Sequence, residues 1–335
     1  MFDSASQRKA LTSLKPFFKV QREIAGLAVD EIDWTILREV GRNCRISYRE
    51  LAKRVGLSTT AAMNRVASML NDGTLVEFLV RPSDAMIGAE YYTAIVHTDA
   101  SEDIEEFISQ IGALPETITV GELASTIGRS YITTGQCIGS ARLQEIGRIL
   151  RGLHGVTEVE LHPVTRFKRP RGGKMNLTRH HLLVLRSVAK DARMPVNEIA
   201  EETGLTRRRV RKILKSLAET GAFIFSARGN FIKKRMTELI IRTHYDDYDS
   251  SLRAFEGCRE DTAQTGLYDV YYSVTDPVAF VWFLVDDIRE VDRVSKTLSR
   301  EPFVVSTTPM VVKSVRKFSW FARLKLYEML EGLDD

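Results

Sequence analysis

The chain has 335 residues, of which 44% are hydrophobic and 27% charged, and a net charge of +4. That length allows two to four domains with a full core, and the composition is that of an ordinary soluble protein. The small net charge excludes a chain-wide polycation, so any affinity for a polyanion has to come from local clusters of basic residues. Cys44, Cys137 and Cys258 are far apart and odd in number, and the sequence has no Cys-x-x-Cys pair. Neither a zinc site nor a disulfide framework is indicated. The longest apolar run, Val278 to Val285, is too short for a bilayer and suits a buried strand. The start does not resemble a signal peptide. We therefore expect a cytoplasmic protein with reduced thiols, no metal and no cofactor.

Residues 1–27 mix Lys9, Lys15, Lys19 and Arg22 with Leu11, Leu14, Phe17 and Phe18, interrupted by Pro16, as an N-terminal extension. From Asp30 a helix is expected, with Ile32, Ile36, Leu37 and Val40 on one side. Ser47-Tyr48-Arg49-Glu50 reads as a capping box opening a short helix that stops at Gly56. Ser58 caps the next helix, whose inner face is Ala62, Val66, Met69 and Leu70. Leu75 to Val80 reads as a strand, one side of a wing. These elements make a winged helix-turn-helix over 28–87. Residues 88–165 then give strand, helix, strand, strand, helix, strand, the order of a ferredoxin-like βαββαβ domain.

Arg166 to Lys174 is a basic run with Pro170, Gly172 and Gly173, read as a flexible linker over 166–175 that touches a polyanion. After it the plan recurs: a second helix-turn-helix over 176–235 and a second βαββαβ domain over 236–315. Residues 316–335 add a terminal helix. The two halves superpose without a gap at a separation of 148 positions, pairing Gly56-Leu57-Ser58 with Gly204-Leu205-Thr206, Arg45 with Arg193 and Gly73 with Gly221. The expected fold class is thus α+β, an ancestral pair of domains copied once in tandem.

The most telling stretch is GLTRRRVRKILKSLAETG, Gly204 to Gly221. Thr206 can cap a helix, Val210, Ile213, Leu214 and Leu217 form its apolar stripe, and the remainder is basic. A short helix, a glycine turn and a one-sided basic helix are how a helix-turn-helix reads. Specificity would come from side chains near the start of each recognition helix. In copy one those are Ser58, Thr59, Thr60, Asn64 and Arg65; in copy two they are Thr206, Arg207, Arg208, Arg209, Arg211 and Lys212. Four arginines cannot all face bases, so some are phosphate clamps or plain surface. Lys168, Arg169, Arg171 and Lys174 of the linker are further DNA-binding candidates.

Both copies resemble the leucine-responsive/AsnC family of regulators. Copy one carries the likeness at Asp33, Ile36-Leu37, Asn43-Cys44-Arg45, Glu50-Leu51-Ala52, Val55-Gly56-Leu57-Ser58 and Arg65-Val66. Copy two carries it at Asp191-Ala192-Arg193, Glu198-Ile199-Ala200 and Gly204-Leu205-Thr206. The resemblance implies double-stranded DNA as partner and self-association through the βαββαβ (RAM-like) domains. It also implies a possible small-molecule effector near a Gly-x-Tyr-Asp turn. Here that turn keeps Gly128 and has Tyr131 nearby, but lacks the Asp; copy two, with Asp276-Pro277-Val278-Ala279, keeps neither.

Three functions are weighed. The first is a DNA-binding transcription regulator in which one chain acts as a pseudo-dimer. The second is an architectural protein that coats DNA with little sequence preference. The third is a tetrapyrrole decarboxylase of AsnC-like shape, which needs paired His and Arg residues in its effector cleft. The six histidines, His97, His154, His162, His180, His181 and His244, show no compact set in the sequence, so an enzyme is not the expected reading.

Overall fold

The computed structural model describes residues 31–125, 128–166, 172–229, 237–260, 267–285, 289–318, 320–331 and 333. In chain order, the first half gives α1 (Glu31–Arg42), α2 (Tyr48–Val55), α3 (Thr59–Asn71), β1 (Leu75–Pro82), the single turn α4 (Asp84–Ile87), β2 (Glu90–Thr98), α5 (Ile104–Gly112), β3 (Thr117–Leu123), β4 (Arg129–Cys137), α6 (Ser140–Arg151) and β5 (Val156–Arg166). The second half gives α7 (Arg179–Lys190), α8 (Val196–Thr203), α9 (Arg207–Glu219), β6 (Phe223–Gly229), β7 (Thr237–Tyr245), α10 (Tyr248–Glu260), β8 (Leu267–Ser273), β9 (Val278–Val285), α11 (Glu290–Leu298), β10 (Val304–Lys317) and α12 (Phe321–Glu331). The chain forms two compact units, and each draws on both halves. Among the described residues, one unit comprises those within 31–89, 172–229 and 320–333, the other those within 90–166 and 237–318.

The first unit is helical. Ser58 accepts the backbone N–H of Ala61, and Gly56 and Gly204 take the left-handed conformation at the two turns. Ser47 accepts the N–H of Glu50, but the Glu50 carboxylate turns to Arg54 Nε at 3.1 Å, so only half of the expected capping box forms. The expected wing strand forms, and its partner lies in the other copy. Among the described residues, β1 forms its ladder with β6 of the other copy, antiparallel, instead of a hairpin within its own copy. Phe78 faces Ala227 and Leu79 faces Ser226. Shifting both members of the first pair by the repeat distance yields the second, so the ladder lies on a pseudo-two-fold axis. The expected terminal helix, α12, packs Leu326 and Leu330 into the core with Val184, Leu185, Val210 and Leu217.

The second unit is a closed eight-stranded barrel with strand order β10-β3-β4-β2-β5-β8-β9-β7. The sequence suggested two separate βαββαβ domains; instead β3 pairs with β10 and β5 with β8, and these two seams join the strand sets. Alternation along the strands sorts the core. Tyr91 and Ile95 of β2 join Val164, Ile240, Phe280, Trp282 and Met310 inside the barrel. Tyr92, Ala94 and Val96 pack outward on Phe107, Ile111, Ile146 and Leu150 of α5 and α6. Leu239, Ile241, Val281 and Phe283 do the same with Phe255, Val294 and Leu298 of α10 and α11. Strand β9 is therefore buried on both faces, as its unbroken apolar run requires.

Candidate nucleic-acid interface

Helix α9 is set by its cap and its buried stripe. Thr206 Oγ1 accepts the N–H of Arg209 at 3.2 Å, and Val210, Ile213, Leu214 and Leu217 are buried. Successive residues turn by about 100°, so the face opposite that stripe carries Arg208, Arg211, Lys212 and Lys215, with Arg207 and Arg209 on its two flanks. All six side chains are exposed. Lys215 lies 3.6 Å from Glu219, and Arg209 Nη2 lies 3.4 Å from His180 Nδ1. Among the described residues Arg207, Arg208, Arg211 and Lys212 enter no ion pair, and the nearby acid Glu202 is taken by Lys190. Among the described residues, these four cations are thus not consumed by internal ion pairs.

Helix α3 presents a different surface at the matching positions. Ser58, Thr59, Thr60, Met63, Asn64 and Ala67 are exposed. Arg65 departs from its expected place near DNA. It is only partly exposed, and its Nη1 donates to Asp33 Oδ1 at 2.8 Å, tying α3 to α1. Met63, which sequence reasoning passed over as an ordinary helix residue, is 44% exposed.

Around the pseudo-two-fold ladder, the paired arginines of the repeat exchange contacts. Arg45 Nη1 donates to the Ala192 carbonyl at 2.6 Å and Nη2 to that of Met194 at 3.1 Å; Arg193 Nη1 donates to the Cys44 carbonyl at 2.7 Å. Arg193 also stacks over the Tyr48 ring at 4.4 Å. Ala192 and Cys44 are themselves repeat partners, so the lock is reciprocal. It joins the two helix-turn-helix elements within one unit.

The linker needs correction. Lys168, Arg169 and Arg171, with the N-terminal extension, lie outside the described residues; Lys174 is exposed. Gly172 and Gly173 serve close approach, not the flexibility expected of them. A Cβ on Gly173 would fall 1.9 Å from the Thr220 carbonyl oxygen, and Ser83 Oγ donates to the Gly173 carbonyl at 3.0 Å. Arg166, counted in the basic run, belongs to the barrel. It pairs with Asp269 between the Tyr91 and Tyr271 rings, each 5.1 Å away. Burial pulls its pKa down, but Asp269 outweighs this and keeps the guanidinium charged.

Both expected effector residues are engaged in packing. Tyr131 is fully buried against Phe107, and its hydroxyl donates to Glu102 Oε1 at 2.7 Å. Burial and that carboxylate raise the phenol pKa. Gly128 has φ +59°, and a Cβ there would fall 2.2 Å from the Thr98 carbonyl oxygen.

The histidines also need correction, because the barrel brings two of them together. His97 Nε2 is 3.7 Å from Glu160 Oε1, His162 Nε2 is 3.8 Å from Glu160 Oε2, and Arg242 Nη1 is 2.7 Å from the same oxygen. The His162 ring first, and then Arg242, hold the Glu160 carboxyl down to about 2 against its desolvation. His162 Nδ1 lies 3.1 Å from Ser273 Oγ and 3.2 Å from Asp276 Oδ2. No group of His, Cys, Asp and Glu among the described residues could hold a metal ion. His180 and His181 sit at a helix start as expected, and His181 Nδ1 accepts the Thr178 N–H at 3.2 Å. No helix among the described residues is long and apolar enough to cross a membrane.

Two helix-turn-helix elements on one polypeptide, one with an exposed basic face, place the chain in a helix-turn-helix class. Comparison with known proteins agrees. Residues 29–70 match the AsnC-type helix-turn-helix domain, and residues 177–222 match a winged helix-turn-helix DNA-binding family. An uncharacterized HTH-type transcriptional regulator of Pyrococcus horikoshii is 32% identical over 108 residues, covering 32% of this chain and 65% of that protein. The leucine-responsive regulatory protein of Haemophilus influenzae is 33% identical over 92 residues, covering 27% and 55%. The HTH-type transcriptional regulator LrpC of Bacillus subtilis is 27% identical over 89 residues, covering 27% and 62%. The helix-turn-helix parts of the chain are thus similar to regulators of the leucine-responsive/AsnC type. The chain spans about half to two thirds of the length of these curated relatives. Among solved structures, the siroheme decarboxylase NirDL shares the fold over 91% of this chain and 100% of its own, with TM-score 0.59 and 14% identity.

Proposed function

We propose that this chain is a cytoplasmic, DNA-binding transcription regulator in which one polypeptide does the work of a dimer. The observation that carries the reading is the reciprocal ladder and arginine lock within the helical unit. It holds one recognition helix from each copy in a pseudo-two-fold pair. Two-fold related helices read two half-sites on one face of a duplex. The exposed cations of α9, Arg207, Arg208, Arg209, Arg211 and Lys212, supply the copy-two contacts, some to phosphates and some to base edges. Ser58, Thr59, Thr60 and Asn64 supply contacts from copy one. Each four-strand set of the barrel is a ferredoxin-like, RAM-like βαββαβ unit, and self-association runs through these units. Ligand control is weak or unlike the family's, because Tyr131 and Gly128 are committed to packing. The test is stoichiometry with footprinting on a selected duplex: one chain should protect two neighbouring half-sites. Protection of a single half-site per chain would contradict it.

The architectural reading shares the same cations and differs in the ratio of specific to non-specific affinity at fixed salt. A second reading, decarboxylation of a tetrapyrrole side chain, draws on the His97–Glu160–His162–Arg242 cluster. Glu160 already neutralises Arg242, and Ser273 and Asp276 already engage His162, which favours a structural role. Titration with siroheme, followed by absorbance, separates the two: a bound chromophore and product would support the enzyme.

A further inference from the structure

The two recognition helices differ at every position of the face turned away from the core. On α9 that face is Arg208, Arg211, Lys212 and Lys215, and on α3 the same positions carry Thr60, Met63, Asn64 and Ala67, all exposed. Four cations in one copy therefore stand where the other has no charge at all. The flanking positions repeat the contrast, with Arg207 and Arg209 against Thr59 and Ala61. Each core, by contrast, is preserved: Val66 is buried where Leu214 is, and Ala62 where Val210 is. The frame that presents the helices is two-fold symmetric; the chemistry it presents is not.

Each base pair shows its own pattern in the major groove. Arginine and lysine match the two acceptors of guanine. Asparagine matches the donor and acceptor of adenine, and an apolar side chain contacts the thymine methyl. Met63 has no core to fill: it is 44% exposed beside the exposed Asn64, at the position where α9 has Arg211. Met63 in that setting has the chemistry for a thymine methyl, Asn64 that for adenine, and Arg208 with Arg211 that for guanine.

We infer that the chain recognises a composite, non-palindromic DNA site: an A·T half-site containing thymine read by Met63 and adenine read by Asn64, joined to a guanine-bearing half-site read by Arg208 and Arg211. The inference rests on the DNA-regulator reading and deepens it by naming the bases. Met63 and Asn64 are its specificity-determining residues in copy one.

The experiment uses the full chain and a pool of randomised duplexes, followed by affinity measurements on the winning sequence. Two unlike half-sites are expected, one A·T and one with guanine. Exchanging the A·T half for a copy of the guanine half should weaken binding about tenfold per substituted pair. Uracil in place of the contacted thymine, which removes only the methyl group, should weaken binding about fourfold. The Met63→Ala chain should be indifferent to that exchange. A chain carrying Thr60→Arg, Met63→Arg, Asn64→Lys and Ala67→Lys together should select guanine in both halves. Identical half-sites selected by the unaltered chain would overturn the inference while leaving the regulator reading intact, as would an unchanged motif from the four-fold variant. No retention of any duplex at low salt would overturn the regulator reading itself.

Discussion

Replacing Arg207 and Arg209 by alanine tests whether the flanks of α9 are phosphate rails. Both side chains are exposed and lie to either side of the outward face, about 100° from its centre, where the walls of a groove would stand. Each phosphate contact contributes roughly 0.9 to the slope of log affinity against log salt, so losing two should make the slope shallower by about 1.8. Between 50 and 200 mM salt that difference amounts to roughly twelvefold, with the unaltered chain losing more. Titration of a fluorescent duplex at four or five salt concentrations, with a selected and a random sequence, reads it directly. The losses should be parallel on both sequences, because phosphates carry no sequence information. Thermal stability should hold within about 0.5 kcal/mol, since Arg207 has no ion pair among the described residues and the Thr206 cap uses only the Arg209 backbone. Normal binding to random DNA at every salt, with a lowered melting temperature, would refute the reasoning and mark the arginines as internal struts.

Arg45→Ala with Arg193→Ala removes the reciprocal lock of the helical unit. Charge-assisted bonds to buried carbonyls suggest a loss of about 2–4 kcal/mol, measurable by urea unfolding, with cooperative binding to two half-sites lost first. Glu160 has its carboxyl held near 2 in the folded chain, below the ordinary value of about 4.5, so its contribution is complete above that ordinary value. It should fade as pH falls from there towards 2, and Glu160→Gln should flatten the acid limb of the stability profile. Burial pushes the Cys44 thiol up to about 12, so iodoacetamide at neutral pH should label it only on unfolding. Gly128→Ala should cost about 2 kcal/mol or more in thermal unfolding, because φ is +59° and the new Cβ meets the Thr98 carbonyl.

Much of this structure is legible in the sequence because the deciding signals are local. Ser58, Thr206, Gly56 and Gly204 bound their helices by chemistry confined to a few neighbours, and Val278–Val285 announces a strand buried on both faces. The repeat predicts the second copy from the first. What stays hidden is pairing at long range. Leu75–Val80 reads as a strand, but nothing in it names Phe223–Gly229 as its partner. Arg166 sits in a basic run and looks like surface; its partner Asp269 is 103 residues away and only the closed barrel joins them. The same closure gathers His97, Glu160 and Arg242 from three strands. Tyr131 and Arg65 follow a family pattern in sequence, yet Glu102 and Asp33 claim them for packing. Met63 could have been found by aligning the outward faces of the two helices, because Arg211 occupies the same place.

The most direct test of the account is the affinity of the full chain for its selected duplex, against random DNA and against duplexes with either half-site scrambled, all at one physiological salt concentration. Sequence-directed binding by two helices predicts a specific-to-random ratio of about a thousand or more, with a large share lost on scrambling either half. A ratio near one, unchanged by either scrambling, would contradict it and leave a protein that coats DNA.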